Sequence, residues 1–197
     1  MNIYLASKSP RRKELLEQME IPFKLLLIDT PEIVKPNESP EDYSKRVAQE
    51  KMHAAWHKIQ SEQITPLPVL CADTEVVLNG VILGKPRDEE DAFNMLSQYS
   101  GQSHQVLTSV GIIHEDFEQI RINTTWVTFA KISEQEIRHY LTSGNYKDKS
   151  GAYGIQSYIG QFISRIDGCF YSVMGLPLNT VREMLNDLNV HQLGKTQ

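Results

Sequence analysis

The sequence predicts an α/β fold, a mixed twisted sheet with flanking helices, and three observations lead to it. Short apolar runs alternate with amphipathic stretches along most of the chain, as strands alternate with helices. One run, Val69-Leu70-Cys71-Ala72, is apolar on both faces, which suits a strand in the middle of a covered sheet. Two pairs of runs are joined by short connections, through Asn79-Gly80 and Glu115-Asp116, too short for anything but antiparallel neighbours.

Each element has its own signal. Residues 2–6 form an apolar strand, Ser9 is a cap, Pro10 is the first helical residue, and Leu15, Leu16 and Met19 make the buried stripe. Arg11 and Arg12 sit in that first turn, where the helix dipole disfavours cations. With the free N–H groups of a helix start beside them, their planar donor forks suit phosphate or carboxylate oxygens, so the turn reads as an anion clamp. A strand at residues 23–28 leads into an acidic, turn-rich segment carrying Glu32, a candidate second wall of a site. Ser39 and Pro40 open a helix to about residue 60 with Tyr43, Val47, Ala48, Ala55, Trp56 and Ile59 on its apolar face. On periodicity alone Lys51 in that helix reads as a solvated lysine.

The buried strand ends at Asp73-Thr74, and a carboxylate at the carboxyl end of such a strand stands where open α/β sheets place their ligands. Residues 75–78 and 81–83 form a hairpin about Asn79-Gly80, a pair suited to a type I′ turn. Gly84-Lys85-Pro86 holds a lysine in a stiff turn. Asp88 caps a helix with Ala92, Phe93, Met95 and Leu96 inside, and residues 105–114 and 120–131 are two longer strands. Ser133 and Glu136 make a capping box for a helix that stops at Gly144. In residues 147–156 charge, two glycines and Gln156 are combined in a way packing does not require. Glycines let a backbone approach a ligand, and an amide reads both a donor and an acceptor. Residues 159–166 and 169–174 read as strand, Gly175-Leu176-Pro177 precedes a helix to about residue 188, and residues 191–197 read as a disordered tail behind one domain spanning 1–190.

Composition bounds the partners. A 197-residue chain with a net charge of -5 argues against a nucleic acid polymer or an anionic membrane as the main partner, since both are met by broad basic faces. No apolar run approaches a membrane span, and the N-terminus turns polar at Ser7, so a cytoplasmic protein is the expectation. Cys71 and Cys169 read as reduced core thiols, and the six histidines make no zinc-type cluster.

The charged turns recur after strands, at Arg11 and Arg12, Glu32, Asp73 and Thr74, Lys85, and from Lys149 to Gln156. Gathered at one end of a sheet, the cations suit phosphates and the carboxylates a divalent cation, Mg²⁺ or Mn²⁺, with Asp73 accepting a proton from water. The reaction class this suggests is metal-assisted hydrolysis of a phosphoanhydride. A nucleotidyltransferase also pairs a cationic turn with an aspartate, but its usual glycine-rich loop has no counterpart in Ser7-Lys8-Ser9-Pro10.

Those residues fall in a recognisable order. Leu5-Ala6-Ser7-x-Ser9-Pro10-Arg11-Arg12-x-Glu14-Leu15-Leu16, Ala72-Asp73-Thr74, Gly84-Lys85-Pro86, Asp148-Lys149-x-Gly151-Ala152-Tyr153-Gly154-Ile155-Gln156 and Gly175-Leu176-Pro177-Leu178 resemble the Maf family of nucleoside triphosphate pyrophosphatases. The resemblance implies two lobes around a deep cleft, a fold related to inosine triphosphate pyrophosphatases. It implies cleavage between the α- and β-phosphates, a divalent metal and a possible homodimer. It places the catalytic role on Asp73 and substrate choice on Arg12, Thr74 and Gln156. Ser7, Arg11, Lys51, Lys85 and Lys149 match positions that bind phosphate and substrate, and Glu32 and Asp73 match those for the metal. Arg11, Thr74 and Gln156 resemble the dTTP/UTP subgroup rather than the 7-methyl-GTP one. The family's association with septum formation implies an alternative role as a non-catalytic nucleotide-binding regulator of division. Glu75, Ser150, Ser157 and Cys169-Phe170 depart from the family pattern; Glu75 is either an added metal ligand or a solvated side chain.

Overall fold

Side-chain caps set the helix starts. In the computed structural model, which describes residues 1–195, the Ser39 hydroxyl accepts the Asp42 N–H at 3.1 Å and the Asp88 carboxylate accepts the Asp91 N–H at 2.8 Å. Ser133 and Glu136 close a reciprocal capping box. These open α2 (Pro40–Ser61), α3 (Glu89–Tyr99) and α4 (Glu134–Thr142). In α1 (Pro10–Gln18) the Ser9 side chain does not cap; the Ser7 hydroxyl accepts the Ser9 N–H instead, at 3.2 Å.

The strands are β1 (Ile3–Leu5), β2 (Phe23–Leu25), β3 (Val69–Leu78), β4 (Val81–Leu83), β5 (Ser103–His114), β6 (Phe117–Phe129) and β7 (Ile163–Asp167). Their order is β2-β1-β3-β5-β6-β7, with β4 on β3. β1 is parallel to β2 and β3, whereas β4 on β3 and β7 on β6 are antiparallel, so the sheet is mixed as predicted. Asn79 and Gly80 both have left-handed backbones, φ 52° and 78°, the requirement of a type I′ turn.

Several expectations change. The strand at 69–72 does not stop at Asp73 but continues to Leu78. Asp73 and Glu75 both turn inward, each 5% exposed, and Val76 to Leu78 pair with β4, so polar residues do not end this ladder. The segment at 169–174 is a short helix, α5 (Phe170–Met174), because the Thr125 hydroxyl accepts the Cys169 N–H at 3.0 Å and takes the chain out of the ladder. Residues Tyr158–Phe162 form a 3₁₀ turn ahead of β7. The last helix, α6 (Leu178–Gly194), runs through most of the expected tail: His191 and Lys195 both pair with Asp116, which ties down its final turn. Residues 196 and 197 of that tail lie outside the described residues.

The chain divides into two compact units, residues 1–73, 108–122 and 175–197 in the first and residues 74–107 and 123–174 in the second. The first has a core of Tyr4, Leu26, Met52, Ile59, Val69 and Ile113. Cys71 belongs to it, its thiol donating to the Ala48 carbonyl at 3.1 Å, and burial pushes that thiol up to about 12. It is an inert core group, as expected.

The second core gathers Leu96, Tyr99, Val106, Phe129, Tyr140 and Tyr153. His104 lies among these aromatic rings, 1% exposed, and burial pushes its imidazole down to about 4 from 6.5. It is therefore neutral in the folded protein at pH 7. Because the unfolded chain takes up the proton first, this residue's stabilisation is complete above pH 6.5 and is lost as the pH falls toward 4. Across that window the loss amounts to about 3 kcal/mol. Urea unfolding of a His104→Gln variant should show a shallower decline between pH 7 and pH 4.5; the same slope in both proteins would show that another group is responsible.

Candidate active site

At the start of α1, Arg12 is locked in place by its own unit. Its Nε donates to the Gly175 carbonyl at 2.9 Å, and its Nη1 donates to the Ser7 hydroxyl at 3.2 Å, the same oxygen that receives the Ser9 N–H. Ser7 thus fixes both the helix entry and the guanidinium. Arg11 is half-buried in the same turn. The cations predicted for an anion clamp are present at a helix N-terminus, and Arg12 is pre-oriented there.

A second cation stands in the middle of α2. Lys51 lies one turn from Val47 and one turn from Ala55, both fully buried, so its stem follows the apolar stripe. Its side chain is 12% exposed, and its Nζ donates to Asp73 Oδ1 at 2.5 Å and pairs with Glu32 Oε1 at 2.7 Å. The solvated reading of Lys51 is therefore wrong: two carboxylates distant in sequence come to it. Burial alone would lower the pKa of this ammonium. The charge of Asp73 and the hydrogen bonds to Asp73 and Glu32 outweigh that burial and the opposing charge of Arg12, leaving the pKa raised above its ordinary value. Lys51 is a permanent cation near neutral pH, and Arg12 is close enough for its charge to be felt.

Glu32 is on an exposed loop, and Arg46 holds that loop down. Its Nε and Nη2 grip the Glu38 carboxylate at 2.5 and 2.8 Å, Nη2 also donates to the Ile33 carbonyl at 2.9 Å, and Nη1 reaches Glu50 at 2.9 Å. The hydrogen bond from Arg46 keeps the Glu38 carboxyl well below the carboxylate range, at about 2. One guanidinium on α2 therefore anchors the segment that delivers Glu32 to Lys51 on the same helix. Nothing in the sequence sets Arg46 apart from the other cations of α2, because its partners are distributed over the loop and the helix.

In the second unit, Thr74 is half-buried next to Glu75, which is buried and so excludes a solvated side chain at that departure from the family pattern. Lys85 is exposed in its turn. The Gly151 N–H donates to the Gly84 carbonyl at 3.0 Å, which joins the Lys85 turn to the segment at 149–156. Gly151 has φ +70°, and a Cβ there would come within 2.7 Å of Val76 and of the Tyr99 hydroxyl, so only glycine fits. Lys149 and Gln156 both pack against Gly154, their Cε and Oε1 atoms at 3.2 and 3.3 Å from the position a Cβ on that residue would take. The structure thus brings together Ser7 with Arg12, Glu32 and Asp73 with Lys51, and Lys149 with Gln156.

Among the described residues no group of three or more His, Cys, Asp or Glu side chains is arranged to hold a metal ion. Glu32 and Asp73, gathered on one ammonium, are two hard oxygen donors. That number fits a cation such as Mg²⁺, which takes one or two carboxylates and completes its shell with phosphate and water.

A family model described as Maf-like protein matches residues 2–188. The dTTP/UTP pyrophosphatase of Nitrosomonas europaea is 43% identical over 196 residues, 95% of each chain. That of Aliivibrio fischeri is 46% identical over 186 residues, covering 93% of this chain and 96% of its own. That of Dechloromonas aromatica is 41% identical over 201 residues, covering 98% and 100%. On this match, which runs through every element that carries the candidate site, the chain belongs to the family of Maf-like proteins.

Proposed function

We propose that this chain hydrolyses the bond between the α- and β-phosphates of nucleoside triphosphates, dTTP and UTP first, then CTP and modified pyrimidine nucleotides, giving the monophosphate and pyrophosphate. The observation that carries the reading is the ion pair of Asp73 with a largely buried lysine, in the unit whose α1 holds Arg12 on Ser7. The names of the three relatives, dTTP/UTP pyrophosphatase, support the choice of substrate.

Asp73 acts as the general base that takes a proton from the attacking water, while Lys51, fixed as an ammonium, neutralises charge beside it. Ser7, Arg11, Arg12 and Lys51 bind phosphate oxygens, and the roles of Lys85 and Lys149 follow from the family motifs they match. Arg12, Thr74 and Gln156 set the substrate, Gln156 through an amide able to pair with the donor and acceptor edge of uracil or thymine. Glu32 and Asp73 would hold a divalent cation, which when bound screens the triphosphate and lowers the pKa of water.

The test is a turnover screen of the purified chain with Mg²⁺ over ordinary and modified nucleoside triphosphates. Pyrimidine triphosphates should lead it; a protein that binds them under saturating metal without turnover would instead be a nucleotide-binding regulator.

A further inference from the structure

We infer that His104, through its hydrogen bond to the Tyr153 hydroxyl, is a positioning residue that sets substrate choice by fixing the segment carrying Lys149 and Gln156. The inference rests on the function proposed above and adds a residue that touches no substrate.

The segment adopts a backbone that it would not hold alone. Asp148, Gly151 and Ala152 all have left-handed φ values, 58°, 70° and 62°, and two of the three pay a steric cost for it. Such a conformation persists only where its surroundings over-determine it. The Gly84 carbonyl receives the Gly151 N–H at 3.0 Å, and the Tyr140 hydroxyl donates to the Ala152 carbonyl at 3.4 Å. At Tyr153 the holding group is His104, whose Nε2 is 2.7 Å from the phenol oxygen. Beyond that point the chain carries Gly154 and then Gln156, with Lys149 packed back against Gly154.

The surroundings of His104 show that its nitrogen serves this contact. The ring stacks on Phe129 at 5.7 Å and 17° and lies 4.5 Å from Tyr99, an aromatic slot that a phenylalanine would fill. Tyr153 stands edge-on to it at 86°. The other ring nitrogen, Nδ1, is buried without a hydrogen-bond partner. A buried polar ring with one partner is costly, and the partner is the tyrosine of the segment. Burial keeps the imidazole neutral, so the contact is a neutral hydrogen bond at working pH.

Tyr153→Phe removes one oxygen and keeps the ring, and His104→Gln keeps an amide group in reach of the hydroxyl. In Tyr153→Phe, KM for dTTP should rise about tenfold with kcat changed less, and the preference for dTTP over a purine triphosphate should fall by a similar factor. His104→Gln should retain more of that preference than His104→Phe. Amide hydrogen exchange at residues 149–156 should quicken in Tyr153→Phe while β5 stays protected. If KM and the preference are unchanged, or activity merely follows the folded fraction, His104 is a packing residue and the inference fails. If the wild type turns over no nucleotide, the proposed function fails instead, and the exchange rates of 149–156 alone decide this inference.

Discussion

Asp73→Asn should lower turnover of dTTP by about a hundred- to ten-thousand-fold, the range for removing a general base. The substitution is close to isosteric and leaves an amide oxygen for the Lys51 ammonium, which now sits 2.5 Å from Asp73 Oδ1. It removes the charge that does most to raise the Lys51 pKa against burial. Some stability should be lost with it, because a buried ammonium deprived of one carboxylate is only partly compensated; breaking such pairs costs about 3–5 kcal/mol when no partner remains. Glu32 remains, so the loss should be smaller, and rates should be compared per folded molecule. Steady-state turnover within a few-fold of wild type would remove Asp73 from the chemistry.

Gly160→Ala should be the most damaging single-methyl change in the second unit. A Cβ at residue 160 would lie 2.1 Å from the Ile155 carbonyl oxygen, a backbone atom that cannot rotate away. The chain here is folded tightly on itself: the Ser157 N–H donates to the Gly154 carbonyl and the Gly160 N–H to the Ser157 carbonyl, each at 2.9 Å. Relief requires moving Ile155, and with it Gln156. Overpacking of this kind costs about 1–3 kcal/mol, which for a chain of this size lowers Tm by roughly 2–4 °C per kcal/mol. Thermal unfolding measures the first effect and KM for dTTP the second. An unchanged Tm would mean that the turn at 154–160 yields without resistance.

What the sequence made legible was local. Caps at Ser39, Asp88 and Ser133 and the turn at Asn79-Gly80 involve partners within four residues, and all are in place. The mixed sheet followed from run lengths and connections. What stayed hidden depends on distant partners. Helical periodicity places Lys51 at the edge of a stripe but says nothing of a carboxylate 22 residues later that meets it, and Arg12 finds its carbonyl acceptor 163 residues away. β3 outruns its apolar run because Asp73 and Glu75 are buried within it and Val76 to Leu78 go on to pair with β4, a fact of tertiary pairing rather than of composition. Segment 169–174 has the residues of a strand and is a helix, and the contact at its start is to Thr125, far upstream, whose hydroxyl accepts the Cys169 N–H. The motifs singled out residues by type, while their pairings, and the parts taken by Arg46 and His104, are set by tertiary contacts.

The proposed activity turns on the position of the broken bond. Phosphorus NMR of dTTP incubated with the chain and Mg²⁺ reads it directly: dTMP and pyrophosphate should appear in equal amounts from the first turnovers, whereas dTDP with inorganic phosphate, or unchanged dTTP, would rule the activity out.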